Sequence, residues 1–188
     1  MSSSSYRVQN PATGEVVEEF NSASSAEVES ALDKAHNAYQ SWRKMSTAER
    51  GEIVYRVAAL FAERKQELAE IISEEMGKPV SEGIEEAEFS AEIFQYFADN
   101  AEELSADQEI PTNASGRAFI ERRPIGALLG IMPWNFPYYQ VARFAAPNFM
   151  LGNTIILKHA EICPRSALAI QKICLLYTSD AADDSTEV

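Results

Sequence analysis

Cysteine is scarce in this 188-residue chain, and the two that occur, Cys163 and Cys174, have no CxxC spacing. With only two histidines beside them they form neither a zinc pattern nor a disulfide framework. No apolar run reaches the ~18 residues that a spanning helix needs. The serine-rich start, Ser2 to Ser5, lacks the apolar core of a signal peptide and reads as flexible. These absences point to a cytoplasmic protein without a membrane partner. Positive charge is in deficit, with a formal net charge of −13. That argues against nucleic acid or an anionic lipid surface as partner, and an anionic substrate would have to meet locally placed cations. The dinucleotide fingerprint G-x-G-x-x-G is missing too: Gly126 and Gly130 are spaced GxxxG. There is no internal repeat.

What is present reads as a soluble α/β protein. A hydrophobic content of 46% against 24% charged residues suits one substantial core, or one domain plus part of a second. Residues 6–9 and 16–20 read as short strands around the turn Asn10-Pro11-Ala12-Thr13-Gly14. Ser24 with Glu27, and Ser46 with Glu49, are capping boxes that predict two helices. The first has its apolar stripe at Val28, Leu32, Ala35, Tyr39 and Trp42, the second at Ile53, Val57, Leu60 and Phe61. A third helix carries Leu68, Ile71 and Ile72 and stops at Met76-Gly77-Lys78-Pro79. A long acidic helix follows to about Leu104, with Ile84, Ala87, Ala91, Phe94 and Phe97 inward. Its Glu82, Glu85, Glu86, Glu88 and Glu92 are expected to be a solvated face.

Beyond a turn at Asn113–Gly116, residues 118–123 read as an exposed strand. Residues 126–132 then form a buried strand, 138–151 a helix and 154–157 a second buried strand, a parallel βαβ unit. Pro164 to Lys172 begins another helix. Between the first buried strand and its helix stands Ile131-Met132-Pro133-Trp134-Asn135-Phe136-Pro137. Its prolines fix the backbone on both sides of Trp134-Asn135, at the end of a strand where α/β proteins place ligands.

This heptad, with Leu151-Gly152-Asn153-Thr154 and Lys158-His159-Ala160-Glu161 after it, resembles the aldehyde dehydrogenase superfamily, and within it the succinate-semialdehyde dehydrogenase group. The resemblance runs from about Tyr6 to Lys172 and covers the N-terminal part of such an enzyme. It implies a helical N-terminal lobe plus an incomplete parallel Rossmann-like sheet, with residues 6–173 in the cofactor-binding domain. It also implies that residues 116–124 are part of an arm pairing with a neighbouring subunit, so a homo-oligomer when full length.

Oxidising an aldehyde through a thiohemiacetal puts negative charge on the former carbonyl oxygen, and losing one fixed donor there costs about 3–4 kcal/mol. The resemblance gives that role to Asn135; from the residue alone, bonding its own turn is the simpler reading. It also implies that Lys158 and Glu161 meet the adenosine ribose of NAD, with Ile131, Pro133 and Trp134 lining the cofactor groove. The residues alone also allow an ion pair at a strand end and a core tryptophan. Within ~4 Å, Glu161 would repel a 2′-phosphate by roughly 1–4 kcal/mol, which favours NAD and leaves NADP open.

Arg143 is the only charged side chain between Pro124 and Leu157. It lies about two helical turns, on the order of 9–12 Å, beyond the asparagine. Its fork suits a substrate carboxylate, the role the resemblance implies; snorkelling or pairing with an acidic neighbour is the alternative. Cys163 stands at a helix start, where packing or capping is expected rather than nucleophilic attack. The resemblance puts the nucleophilic cysteine and the water-activating glutamate downstream, so this chain is expected to be inactive alone. After Lys172 the helical pattern breaks, and residues 174–188 resemble a translated sequencing adapter, expected to be read-through. The competing expectations are a non-catalytic oligomerisation module and a dehydrogenase for an uncharged aldehyde.

Overall fold

The computed structural model describes residues 6–113 and 115–175. The chain opens with β1 (Arg7–Gln9) and β2 (Val16–Glu19), paired antiparallel with Val8 opposite Glu18. Asn10 organises the turn between them, its side-chain oxygen accepting from the Ala12 N–H at 2.9 Å.

Both capping boxes form. Ser24 starts α1 (Ser25–Trp42) and Ser46 starts α2 (Thr47–Glu63), each exchanging side-chain and backbone hydrogen bonds with the glutamate three residues on. Helix α3 (Lys65–Met76) ends on Gly77, whose φ of 79° is the left-handed cap that only glycine adopts without strain. Helix α4 (Val80–Ser105) is the longest element, followed by the antiparallel pair β3 (Gln108–Ile110) and β4 (Ala118–Ile120). Then come β5 (Ala127–Ile131), α5 (Tyr139–Leu151), β6 (Thr154–Lys158) and α6 (Pro164–Leu175). Strands β5 and β6 are parallel with Leu128 beside Ile155, so β5–α5–β6 is the expected βαβ unit.

The core lies among α2, α3, α4, α5 and α6, where Phe61, Leu68, Ile72, Phe94, Tyr138 and Ile173 are each fully buried. Burial of large side chains at roughly 1.5–3 kcal/mol each holds these helices together. Helix α1 stands on the βαβ unit through its C-terminal half. The Trp42 indole N–H donates to the Phe149 carbonyl at 3.0 Å, and the Thr154 hydroxyl donates to the Ala35 carbonyl at 2.8 Å. Its first turns extend past that support, which leaves Val28 and Leu32 exposed although they continue the same stripe.

Three expectations need correction. Strands β5 and β6 are not fully buried: Leu129 and Ile131 are 61% and 68% exposed. Helix α5 covers one face of the pair, where a Cβ on Gly130 would stand 2.7 Å from the Phe144 ring. Apolar residues on both faces predict cover on both, but on the second face α1 reaches only as far as Thr154 and leaves Leu129 and Ile131 open among the described residues. Glu86 is not solvated but 5% exposed. Gly83 and Ser90, three and four residues to either side, place that row of α4 against α3 and α5. Finally, the helix does not break after Lys172: Cys174 packs on the core within α6. The Ser2–Ser5 start and the tail from residue 176 onward lie outside the described residues. No described helix is long and apolar enough to cross a membrane.

Candidate active site

The loop 132–138 joins the C-terminal end of β5 to the N-terminus of α5, where the first-turn N–H groups of a helix have no intrahelical acceptor. No side chain of the loop itself caps α5. The acceptor comes from α4: Glu86 Oε1 receives the backbone N–H of Tyr138 at 2.8 Å and of Tyr139 at 3.1 Å. Its other oxygen pairs with the Lys78 ammonium. Lys78 also donates to the Asn135 carbonyl at 3.1 Å and stands 3.9 Å from the centre of the Phe136 ring.

His159, at the exit of β6, ties down the other side. Its Nδ1 accepts the Ala160 N–H at 2.8 Å, which leaves the proton on Nε2 to be donated to the Pro137 carbonyl at 3.0 Å. Burial holds its pKa below the usual histidine value, so the neutral ring that makes both bonds is favoured. The loop is therefore held by side chains from α4, from the α3–α4 junction and from the end of β6.

Asn135 itself is exposed at the strand end. Among the described residues its side-chain amide makes no hydrogen bond to its own turn; only its main-chain carbonyl is engaged, by Lys78. Arg143 is exposed on α5, with its guanidinium 5.6 Å from the centre of the Tyr139 ring and no acidic partner among the described residues. Tyr139 also stacks on Phe89 at 5.4 Å and meets Phe136 edge-on at 5.9 Å. An aromatic wall of Phe89, Tyr139 and Phe136 thus runs between the asparagine and the arginine.

Ile131, Pro133, Lys158 and Glu161 are all exposed at the C-terminal ends of the two parallel strands. Lys158 lies 5.7 Å from the centre of the Tyr6 ring and forms no ion pair with Glu161. Trp134 is 53% exposed, which excludes core packing for it. It borders a cavity of about 410 Å³ with Arg7, Pro11, Glu75, Met76 and Ile162.

Cys163 is fully buried, and burial pushes its thiol up to about 12. The Cys174 thiol is likewise pushed up to about 12. Neither supplies a thiolate near neutral pH. No group of three or more metal-ligating side chains occurs among the described residues.

The sequence reading missed Lys78, Glu86 and the loop-holding role of His159. For Glu86 a signal existed: it shares the inward row of α4 with Gly83 and Ser90. Lys78 gave none, because a lysine next to a helix cap is ordinarily solvated.

A parallel βαβ unit with a pinned, proline-bracketed asparagine loop on its strand ends places this chain among α/β enzymes that bind ligands at that edge. The model of the aldehyde dehydrogenase family matches residues 1–177, and the chain belongs to that family. It is similar to the NADP(+) succinate-semialdehyde dehydrogenase of Deinococcus radiodurans, 43% identical over 164 residues, covering 87% of this chain and 34% of that protein. Among solved structures it matches the succinic semialdehyde dehydrogenase of Streptococcus pyogenes in complex with NADP+, with a TM-score of 0.88 and 36% identity. That alignment covers 93% of this chain and 38% of the other. PnpE in complex with nicotinamide adenine dinucleotide matches with a TM-score of 0.79 and 29% identity, over 90% of this chain and 34% of that one. The chain spans about a third of the length of the curated relatives it matches.

Proposed function

We propose that this chain supplies the N-terminal part of an NAD(P)-dependent aldehyde dehydrogenase that oxidises succinate semialdehyde, or a similar carboxylated aldehyde, to its acid. The observation that carries the reading is the Asn135 amide, exposed at a strand end and free of its own turn while the backbone beneath it is held by Lys78. A fixed amide donor costs no reorganisation when charge develops on the aldehyde oxygen, which is how such a donor lowers the barrier.

Arg143 supports the carboxylated substrate. It stands about one turn along α5 with Tyr139 under its guanidinium, and its fork can take a carboxylate in two parallel bonds. The exposed ledge of Ile131, Pro133, Lys158 and Glu161 suits a dinucleotide: apolar surface for the adenine, an ammonium and a carboxylate for ribose hydroxyls. The nicotinamide, when bound, accepts the hydride. The relatives are named for NADP(+), whereas Glu161 leans toward NAD, so both dinucleotides belong in the assay. Cys163 is fully buried and both thiols are raised to about 12, so neither suits the nucleophile's role. The family resemblance assigns that role, with the water-activating base, to sequence outside this segment. The segment 116–124 then serves as part of a subunit-pairing arm, where Phe119 and Ile120 are exposed on β4.

Grafting residues 6–172 in place of the matching segment of the Deinococcus radiodurans enzyme tests this. The 188-residue chain alone should show no turnover, and the graft should oxidise succinate semialdehyde. Asn135→Ala in the graft should lower kcat by roughly 100- to 1,000-fold. An active graft indifferent to Asn135→Ala would remove the oxyanion role.

A further inference from the structure

We propose that the buried Lys78–Glu86 ion pair is the positioning device of the Asn135 loop, acting through the backbone of residues 135–139 and not as a prop of the helical lobe. The inference rests on the reading of Asn135 as the oxyanion donor. Lys78 and Glu86 are 8% and 5% exposed, and among the described residues every side-chain polar bond the pair makes outside itself goes to the loop or its helix. Glu86 takes the two N–H groups that open α5, and a carboxylate at a helix N-terminus is doubly suited to that place. Lys78 takes the Asn135 carbonyl and faces the Phe136 ring.

A buried ion pair is a poor choice if stability alone is at stake. Apolar side chains of similar volume are often as good or better, because they need no desolvation of charge. What apolar replacements cannot do is fix a carbonyl and two N–H groups in space. The pair meets the loop from the helical side and His159 meets it at Pro137 from the sheet side. The peptide is thereby pinned while the Asn135 side chain stays available. Glu86 and Lys78 touch no reacting atom in this account; they are positioning residues.

The test is Lys78→Met/Glu86→Leu in the full 188-residue chain, followed by amide hydrogen exchange. The expected result is a local one. The Tyr138 and Tyr139 amides should exchange about 10- to 100-fold faster, as for the loss of a hydrogen bond to a charged group. Amides in the middle of α2, and the urea midpoint, should stay where they are. Unchanged loop amides, or an equal acceleration everywhere, would overturn the proposal. Glu86→Gln keeps the shape of the side chain and covers the case in which the double variant does not fold. It should give the same local acceleration at smaller size, and no local change would again overturn it.

Kinetics of the grafted enzyme separate positioning from stability. The double variant should lower kcat at least tenfold with the dinucleotide KM unchanged, and should add almost nothing in an Asn135→Ala background. Equal losses in both backgrounds would show that the pair does not act through Asn135. If Asn135→Ala alone leaves kcat unchanged, the oxyanion reading fails while the exchange result stands, so the two failures are told apart.

Discussion

Glu75, on the last turn of α3, receives both the backbone N–H and the hydroxyl of Ser166 in one carboxylate, the N–H at 3.1 Å. Its other oxygen takes the Arg165 N–H, so a glutamate 91 residues earlier in the chain caps the start of α6. Glu86 does the same for α5. Two helices of this protein thus begin on carboxylates borrowed from the helical lobe.

The Glu75 cap makes stability depend on pH. Burial pushes its carboxyl up to about 7 from an ordinary 4.5, against the lowering effect of the Ser166 and Arg165 donors. The folded state therefore holds a proton that the unfolded state has released between those values, and stability falls as pH rises through that window. The full contribution, on the order of 3 kcal/mol, is present below about 4.5 and gone above about 7. Urea titrations of the chain and of Glu75→Gln at several pH values isolate it. The stability difference between the two should move toward the variant as pH rises, and a shift the other way would mean the donors outweigh burial.

His159 works in the opposite sense. Burial depresses its pKa, so the unfolded ring binds protons first as pH falls below its ordinary 6.5. Protonation also removes the Nδ1 acceptor that the Ala160 N–H requires. Stability from this residue is present above about 6.5 and lost toward acid. Titration of the His159 ring followed by NMR should give a pKa below the ordinary 6.5. An equal or higher value would mean that the ring is not held neutral by its pocket.

Much of this architecture could be read from local chemistry. The capping boxes at Ser24 and Ser46 and the stop at Gly77 needed only neighbours within one turn, and they formed as expected. The asparagine loop was legible because its prolines act on adjacent residues. What stayed hidden was made by distant partners. Lys78 and Asn135 are 57 residues apart and meet only after α4 folds back on α5. The same holds for Glu75 with α6. A charged residue in an acidic stretch reads as solvated until the element that needs its charge is known. The half-covered sheet was unreadable for another reason: apolar composition records what a strand can bury, not how much of its cover the described residues supply.

Tyr138 offers a check on the core beneath the loop. Its side chain is fully buried, packed edge-on to Phe61 at 6.1 Å, and its hydroxyl donates to the Leu68 carbonyl at 2.9 Å. That carbonyl already lies within α3, where the helix ladder supplies a donor. Tyr138→Phe should then cost only about 1 kcal/mol, the low end for a buried hydrogen bond. Tyr138→Ala should cost about 3–5 kcal/mol through the cavity it leaves. Chemical denaturation of both variants tests the ratio; equal costs would mean that the hydroxyl, not the ring, is the anchor.

Gly83 sets two effects of similar size against each other. At the end of the first turn of α4 a glycine is worse than alanine by at most about 1 kcal/mol, so Gly83→Ala should stabilise the helix by itself. A Cβ at that position, however, would stand 2.9 Å from both Cα and Cβ of Ala69 on α3. The Ala69 Cα is backbone, and it cannot yield unless the two helices part. Overpacking of that kind costs typically about 1–3 kcal/mol, so the net effect is destabilising. Parting α3 from α4 would also disturb Lys78 at their junction and, through it, the Asn135 carbonyl. Gly83→Ala should therefore lower the thermal midpoint and speed amide exchange at Tyr138 and Tyr139 together. Ala69→Gly added to it removes one of the two contacts and should recover part of both losses. A midpoint that rises in Gly83→Ala would show that α3 and α4 can separate at less cost than the helix gains.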